Sequence, residues 1–174
     1  LKIPVYNEIT GEGILRHIVT RVSHSKGDVM VILVLTDEKV PGLKKIIQKI
    51  TREIPEVISI VLNINKRRDN VILGDKVRTV YGSDTLVDRL GHLKFHISPL
   101  SFYQVNPVQT VKLYNKAVEF AGLTGNETVF DLYCGIGTIS LFLAEKAKEV
   151  IGVEVVPEAV EAATKNAVLN NISN

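Results

Sequence analysis

Two spacings of apolar residues alternate along the first half of the chain. Ile14 to Val22 and Val29 to Thr36 are runs rich in β-branched residues, joined by the turn-forming Ser23-His24-Ser25-Lys26-Gly27-Asp28, and they predict a hairpin. Leu43, Ile46, Ile47 and Ile50 then fall at i, i+3, i+4 and i+7, which predicts an amphipathic helix over 41–53 that Pro55 ends. Val57–Ile64, Val71–Leu73, Val77–Tyr81, Thr85–Leu90 and Leu93–Ile97 read as further strands or short extended pieces. The order β-β-α-β-β predicts a small α+β domain with a mostly antiparallel sheet.

The pattern changes after Ser98-Pro99, where proline disfavours helix in the residue before it, and a domain boundary is expected there: 1–97 and 98–174. Asn106-Pro107 opens a helix, with Asn as N-cap and Pro at the first helical position, and Val108, Val111, Tyr114, Ala117, Val118 and Ala121 carry it to about Gly122. Next come an apolar strand from Val129, a glycine turn at Gly135 and Gly137, a helix over Thr138 to Ala147, a second strand from Val150 that ends in Glu154, and a last helix over Pro157 to Leu169. Strand, glycine turn, helix, strand and terminal acid in that order form the opening βαβ unit of a nucleoside-binding sheet. The fold class expected is therefore α/β.

Each residue type at that turn has a chemical reason. Gly135 and Gly137 lack Cβ, so the backbone can turn tightly and a ligand can approach closely. The helix after them offers unpaired N–H groups to an anionic group, and Glu154 can accept hydrogen bonds from both ribose hydroxyls. A dinucleotide fingerprint would put a third Gly or Ala where this chain has Ser140, and it would not place Asp131 ahead of the first glycine. An acid there repels a pyrophosphate and suits an ammonium. S-adenosylmethionine has an ammonium, a carboxylate and a ribose but no phosphate, so it is the expected cofactor, with NAD as the alternative.

Composition narrows the picture without redirecting it. The 174 residues are 45% hydrophobic and 23% charged, an ordinary globular balance with room for one or two small domains. No apolar run approaches the roughly 20 residues of a membrane span, and Leu1-Lys2-Ile3-Pro4 lacks the apolar core of a signal peptide, so no membrane contact and a cytoplasmic location are expected. Cys134 is the single cysteine, and with no CxxC pair and no clustered histidines no metal site is expected. His92 and His96 alternate with Leu93, Phe95 and Ile97 and read as the wet face of a strand. Charge is uneven: residues 1–97 carry 16 Lys and Arg against 11 Asp and Glu, whereas residues 98–174 carry 5 against 8. Lys44, Lys45, Lys49 and Arg52 on the polar side of the 41–53 helix, with Lys66-Arg67-Arg68, are candidates for RNA phosphates; the alternative is a solvated helix face and a solvated turn.

From Ser98 onward the chain resembles a known family. Ser101-Phe102-Tyr103-Gln104-Val105-Asn106-Pro107, Asp131-Leu132-Tyr133-Cys134-Gly135-Ile136-Gly137 and Gly152-Val153-Glu154 are similar to the RNA uracil-C5 methyltransferases, especially those of the 23S ribosomal RNA type. The resemblance implies a small α+β central domain followed by the N-terminal part of a class I, Rossmann-like S-adenosylmethionine-dependent methyltransferase domain. It implies that Gln104, Tyr133 and Glu154 contact the cofactor, supported by the glycine turn and Thr138. It further implies RNA as partner, ribosomal rather than transfer RNA. Without the resemblance, Asn106 is at least a helix cap, Tyr133 a packing residue and Gln104 a turn cap.

Family members attack uracil C6 with a cysteine thiolate, because C5 is a poor nucleophile until covalent addition makes it enolate-like. That cysteine and the general base are expected beyond Asn174, so no catalytic residue is assigned within the chain, and Cys134 is read as packing in the glycine turn. The chain reads as a fragment, with exposed pairing edges by which it either leans on the central domain or self-associates, and without methyl transfer of its own. The alternatives are a class I methyltransferase for another substrate and a non-catalytic RNA-binding module.

Overall fold

The computed structural model describes residues 3–174, which divide into two units, one running up to Leu86 with Ser98–Leu100 and the other comprising Val87–Ile97 and Ser101–Asn174. In the first, strands β1 (Leu15–Val22) and β2 (Val29–Leu35) pair antiparallel through the expected turn, which the Ser23 N–H closes by donating to the Asp28 carbonyl at 2.8 Å. Helix α1 (Leu43–Glu53) then carries the chain over the sheet, so β3 (Val57–Ile64) returns parallel to β2. A crossover of this kind is what a parallel pair requires. Strand β4 (Lys76–Gly82) pairs antiparallel with β3 and closes the order β1-β2-β3-β4, two of whose three pairings are antiparallel.

The core of this unit follows the two periodicities of the sequence. Val31, Leu33, Leu35, Ile60 and Leu62 point to one face of the sheet, and Leu43, Ile47 and Ile50 of α1 pack onto them. Val71–Leu73, expected as a strand or a short extended piece, forms no strand. Its backbone is held by side chains of the β3 segment instead: Asn65 Nδ2 donates to the carbonyls of Val71 (2.6 Å) and Ile72 (2.9 Å), and Asn63 bonds both the N–H and the carbonyl of Gly74. Amide side chains there replace a strand ladder.

The second unit begins with the hairpin β5 (Leu86–Leu90) and β6 (Leu93–Ile97), which turns at Gly91 with φ 59°. Helix α2 (Pro107–Ala121) is capped as expected: Asn106 Oδ1 accepts from the Gln109 N–H at 3.0 Å, and Gly122 ends it in the left-handed region. Strand β7 (Thr128–Asp131), helix α3 (Thr138–Ala144), parallel strand β8 (Glu149–Gly152) and helix α4 (Pro157–Leu169) complete the βαβ pattern. α3 stops three residues before the expected Ala147, where the N–H groups of Lys146 and Ala147 both turn back to the Leu143 carbonyl.

The hairpin accounts for the difference between this division and the one expected at 97/98. Two asparagines of α4 bond the backbone of β6: Asn166 Oδ1 accepts from the His96 N–H, and Asn170 both accepts from the Lys94 N–H and donates to its carbonyl. Residues 87–97 therefore cluster with the α/β unit rather than with the α+β sheet. His96 is a half-buried member of β6, while His92 sits in the hairpin turn, where its Nε2 meets Glu145.

Candidate functional site

The site grows from the carboxyl ends of β7 and β8. The ladder continues past both strands, because the Val153 N–H donates to the Asp131 carbonyl (2.8 Å) and the Cys134 N–H to the Val153 carbonyl (3.1 Å). The chain then turns through Gly135 (φ 53°) and Gly137 (φ 82°), both in the region that disfavours side chains. The two glycines differ in surroundings. A Cβ on Gly137 would lie 3.3 Å from the Cβ of Ala163, so this glycine serves the packing of α4, whereas a Cβ on Gly135 would meet nothing within 4 Å. Space over the turn is open at Gly135.

Glu154 lies beside that opening. Its Oε1 accepts from the N–H groups of Val155 (2.7 Å) and Val156 (3.0 Å), and its Oε2 from the Gly135 N–H (3.1 Å). Those bonds, the Val156 and Val155 ones foremost, hold its carboxyl below the usual carboxylate range. An ionised carboxylate has about four lone-pair sites. Three are engaged here, and the longest bond, to Gly135, is the one a ligand hydroxyl would displace.

Asp131 is positioned by Ser140, whose Oγ donates to its Oδ2 at 2.6 Å. The other carboxylate oxygen makes no hydrogen bond among the described residues. Thr138 is tied to α2 through its hydroxyl, 2.9 Å from the Tyr114 hydroxyl, and the Tyr114 ring meets Phe142 of α3 edge-on at 5.3 Å. Tyr133 is 92% exposed, so the packing role open to it in the sequence is not the one it takes. Gln104 is half-buried in the extended segment before α2, and no described hydrogen bond joins it to the glycine turn. The structure thus gathers Asp131, Gly135, Gly137, Thr138 and Glu154 at one turn and leaves Gln104 without a bonded link to them.

Cys134 is buried behind the turn. Its Sγ lies 2.9 Å from where a Cβ on Gly152 would stand, and burial, together with Asp131 and Glu154, pushes its thiol pKa up. A thiol so placed is a packing group, not an activated nucleophile. A pocket of about 280 Å³ lies among α3, β8 and α4; Cys134, Gly137 and Ser140 of the turn line it, but Asp131 and Glu154 do not. Among the described residues no group of three or more His, Cys, Asp and Glu could hold a metal, and no helix is long and apolar enough to cross a membrane.

Three residues that hold the site escape the motif pattern: Ser140, Tyr114 and Asn166, whose Nδ2 donates to the Ile136 carbonyl of the turn at 3.0 Å. Residues 51–174 match the model of the tRNA (uracil-5-)-methyltransferase family. The chain belongs to that family. It is 53% identical over 172 residues to an uncharacterized RNA methyltransferase of Bacillus cereus, covering 99% of this chain and 38% of the relative. It is 52% identical to another from Halalkalibacterium halodurans, with 100% and 38% covered. The chain thus spans well under half the length of these relatives. Among solved structures, the Pyrococcus abyssi tRNA (uracil-54, C5)-methyltransferase in complex with S-adenosyl-L-homocysteine superposes with a TM-score of 0.79 at 29% identity, over 98% of this chain and 41% of that one. The tRNA m1G37 methyltransferase of M. jannaschii, 16% identical with a TM-score of 0.53, shares the fold.

Proposed function

We propose that this family member holds S-adenosylmethionine on the Gly135–Gly137 turn and belongs to an enzyme that methylates uridine at C5 in RNA. The observation that carries the reading is the Glu154 carboxylate, ionised and fixed beside the open Gly135 at the end of the second parallel strand. The donor set fits the cofactor. Glu154 can exchange its Gly135 bond for a ribose hydroxyl, and the uncommitted oxygen of Asp131 can accept from an ammonium. Gly135 leaves room above the backbone, and the exposed Tyr133 ring offers a face to an adenine. Gln104 joins this site by family resemblance. When bound, S-adenosylmethionine supplies an electrophilic methyl group; the residues of this chain bind and orient it. The motif resemblance favours 23S ribosomal RNA as substrate, while the Pyrococcus relative is named for transfer RNA.

Calorimetry with S-adenosylmethionine tests the reading on the chain itself. Removing hydrogen bonds to a charged group costs roughly 1.5–3 kcal/mol, so Glu154→Ala should weaken binding by about 10- to 100-fold. Gln104→Ala should weaken it as well. Unchanged affinity in Glu154→Ala, or binding of NAD in place of S-adenosylmethionine, refutes the assignment.

A further inference from the structure

A second candidate site lies in the α+β unit. α1 covers the apolar face of β2 and β3, and the edge strand β4 carries that face onward. Cross-strand partners share a face, so the pairs Ile60↔Tyr81, Leu62↔Arg78 and Ile64↔Lys76 put Tyr81, Arg78 and Lys76 on the α1 side. Those positions would be apolar if the helix covered them. A bulge between Thr79 and Tyr81 adds Val80, which packs on the core while Tyr81 keeps its place on the face, and bulges commonly re-aim side chains in this way.

The result is a groove of about 620 Å³ between α1 and β4. Leu43, Ile47 and Val80 contribute apolar surface, Lys44 stands on the helix side, and Arg78 and Tyr81 stand on the strand side. No acid lines it. Lys76 is engaged by Glu38 at 2.5 Å, and that carboxylate also feels the Arg78 charge. Yet neither Arg78 nor Lys44 forms an ion pair within 4 Å among the described residues, and the first turn of α1 carries no acid. Of the other basic candidates, Arg67 is paired with Asp69 at 2.8 Å and Arg52 lies 3.7 Å from Glu53, while Lys45, Lys49, Lys66 and Arg68 do not line the groove. Tyr81 is 41% exposed.

We infer that this groove takes a short single-stranded stretch of RNA, with phosphates on Lys44 and Arg78 and a base stacked on Tyr81. Two unpaired cations flanking an apolar strip complement a backbone whose bases turn inward. The aromatic ring selects a single strand, because a duplex hides its base faces. The inference rests on the RNA reading above and deepens it by assigning a contact outside the methyl-transfer site.

The test is fluorescence anisotropy of the chain with a labelled oligouridine of about ten nucleotides, a length within the span of one single-strand site. Tyr81→Ala should weaken binding by about 5- to 100-fold and Tyr81→Phe should restore it, as expected for stacking. Lys44→Ala with Arg78→Ala should lower the slope of log affinity against log salt by about 1.4, the value for two single-strand phosphate contacts. Lys26→Ala, an exposed lysine in the β1–β2 turn, should leave the Tyr81 dependence intact. If the chain binds the RNA and the groove variants bind equally well, the groove is wrong and the RNA reading stands. An RNA duplex or an acidic peptide competing as well as the oligouridine overturns the single-strand assignment. If the chain binds no RNA, the groove falls, while S-adenosylmethionine calorimetry on the same sample judges the cofactor site independently.

Discussion

Asn166 is the most informative single position for testing how the turn is supported. Its side chain is 0% exposed and spends both ends inside the unit, with Oδ1 accepting from the His96 N–H at 2.8 Å and Nδ2 donating to the Ile136 carbonyl at 3.0 Å. Asn166→Ala leaves a half-buried donor on β6 and a buried acceptor in the glycine turn, each at roughly 1–3 kcal/mol, so the total should be about 2–6 kcal/mol. Asn170 makes a similar pair of bonds to Lys94, but at the surface, where water can replace them. Asn170→Ala should therefore cost about 1 kcal/mol. Hydrogen exchange followed by mass spectrometry separates the two, because each 1.4 kcal/mol is tenfold in the opening equilibrium. Peptides over 93–97 and 134–138 should lose about 30-fold or more of their protection in Asn166→Ala, whereas Asn170→Ala should cost about fivefold over 93–97 and leave 134–138 protected. Equal losses in the two variants, or full protection of the turn in Asn166→Ala, would refute the claim that α4 holds the turn through this amide.

Two further outcomes follow from local chemistry. Glu127 accepts from the Thr124 hydroxyl and from the Thr124, Gly125 and Asn126 N–H groups, with the Thr124 bonds lowering its pKa from 4.5 to about 2. A depressed folded pKa means stability that is present above the unfolded value of about 4.5 and is lost as pH falls towards 2; NMR titration should show it, and Glu127→Gln should remove that pH dependence. In β8, Gly152→Ala places a methyl 2.9 Å from Cys134 Sγ, an overpacking that costs about 1–3 kcal/mol, partly offset by about 0.5 kcal/mol of backbone entropy. In a Cys134→Ala background the clash with sulfur is gone, so the double-mutant cycle should show a coupling of about 1 kcal/mol in urea unfolding of the β7–β8 region; strictly additive effects would place Cys134 elsewhere.

What was legible in the sequence was what is decided locally. Asn106-Pro107 and Gly122 bracket α2 because an N-cap and a left-handed C-cap act within one turn of helix. Asp131 fell at the end of β7 as expected, Glu154 lies two residues past the end of β8 at Gly152, and the single bulge in β4 did not disturb its prediction. The misread segments have a shared cause. Val71–Leu73 has strand composition but no strand, because Asn63 and Asn65 take its carbonyls and those of Gly74. The β5–β6 hairpin belongs with the α/β unit because Asn166 and Asn170, some 70 residues downstream, bond β6. Ser140 and Tyr114 reach the site in the same non-local way, through bonds to Asp131 and Thr138. Asn63, Asn65 and Asn166 are buried, where an amide must satisfy both its donor and its acceptor or lose a kilocalorie or more at each. An asparagine in such a place therefore marks backbone from another segment pressed against it, even when the pattern of apolar residues does not identify that segment.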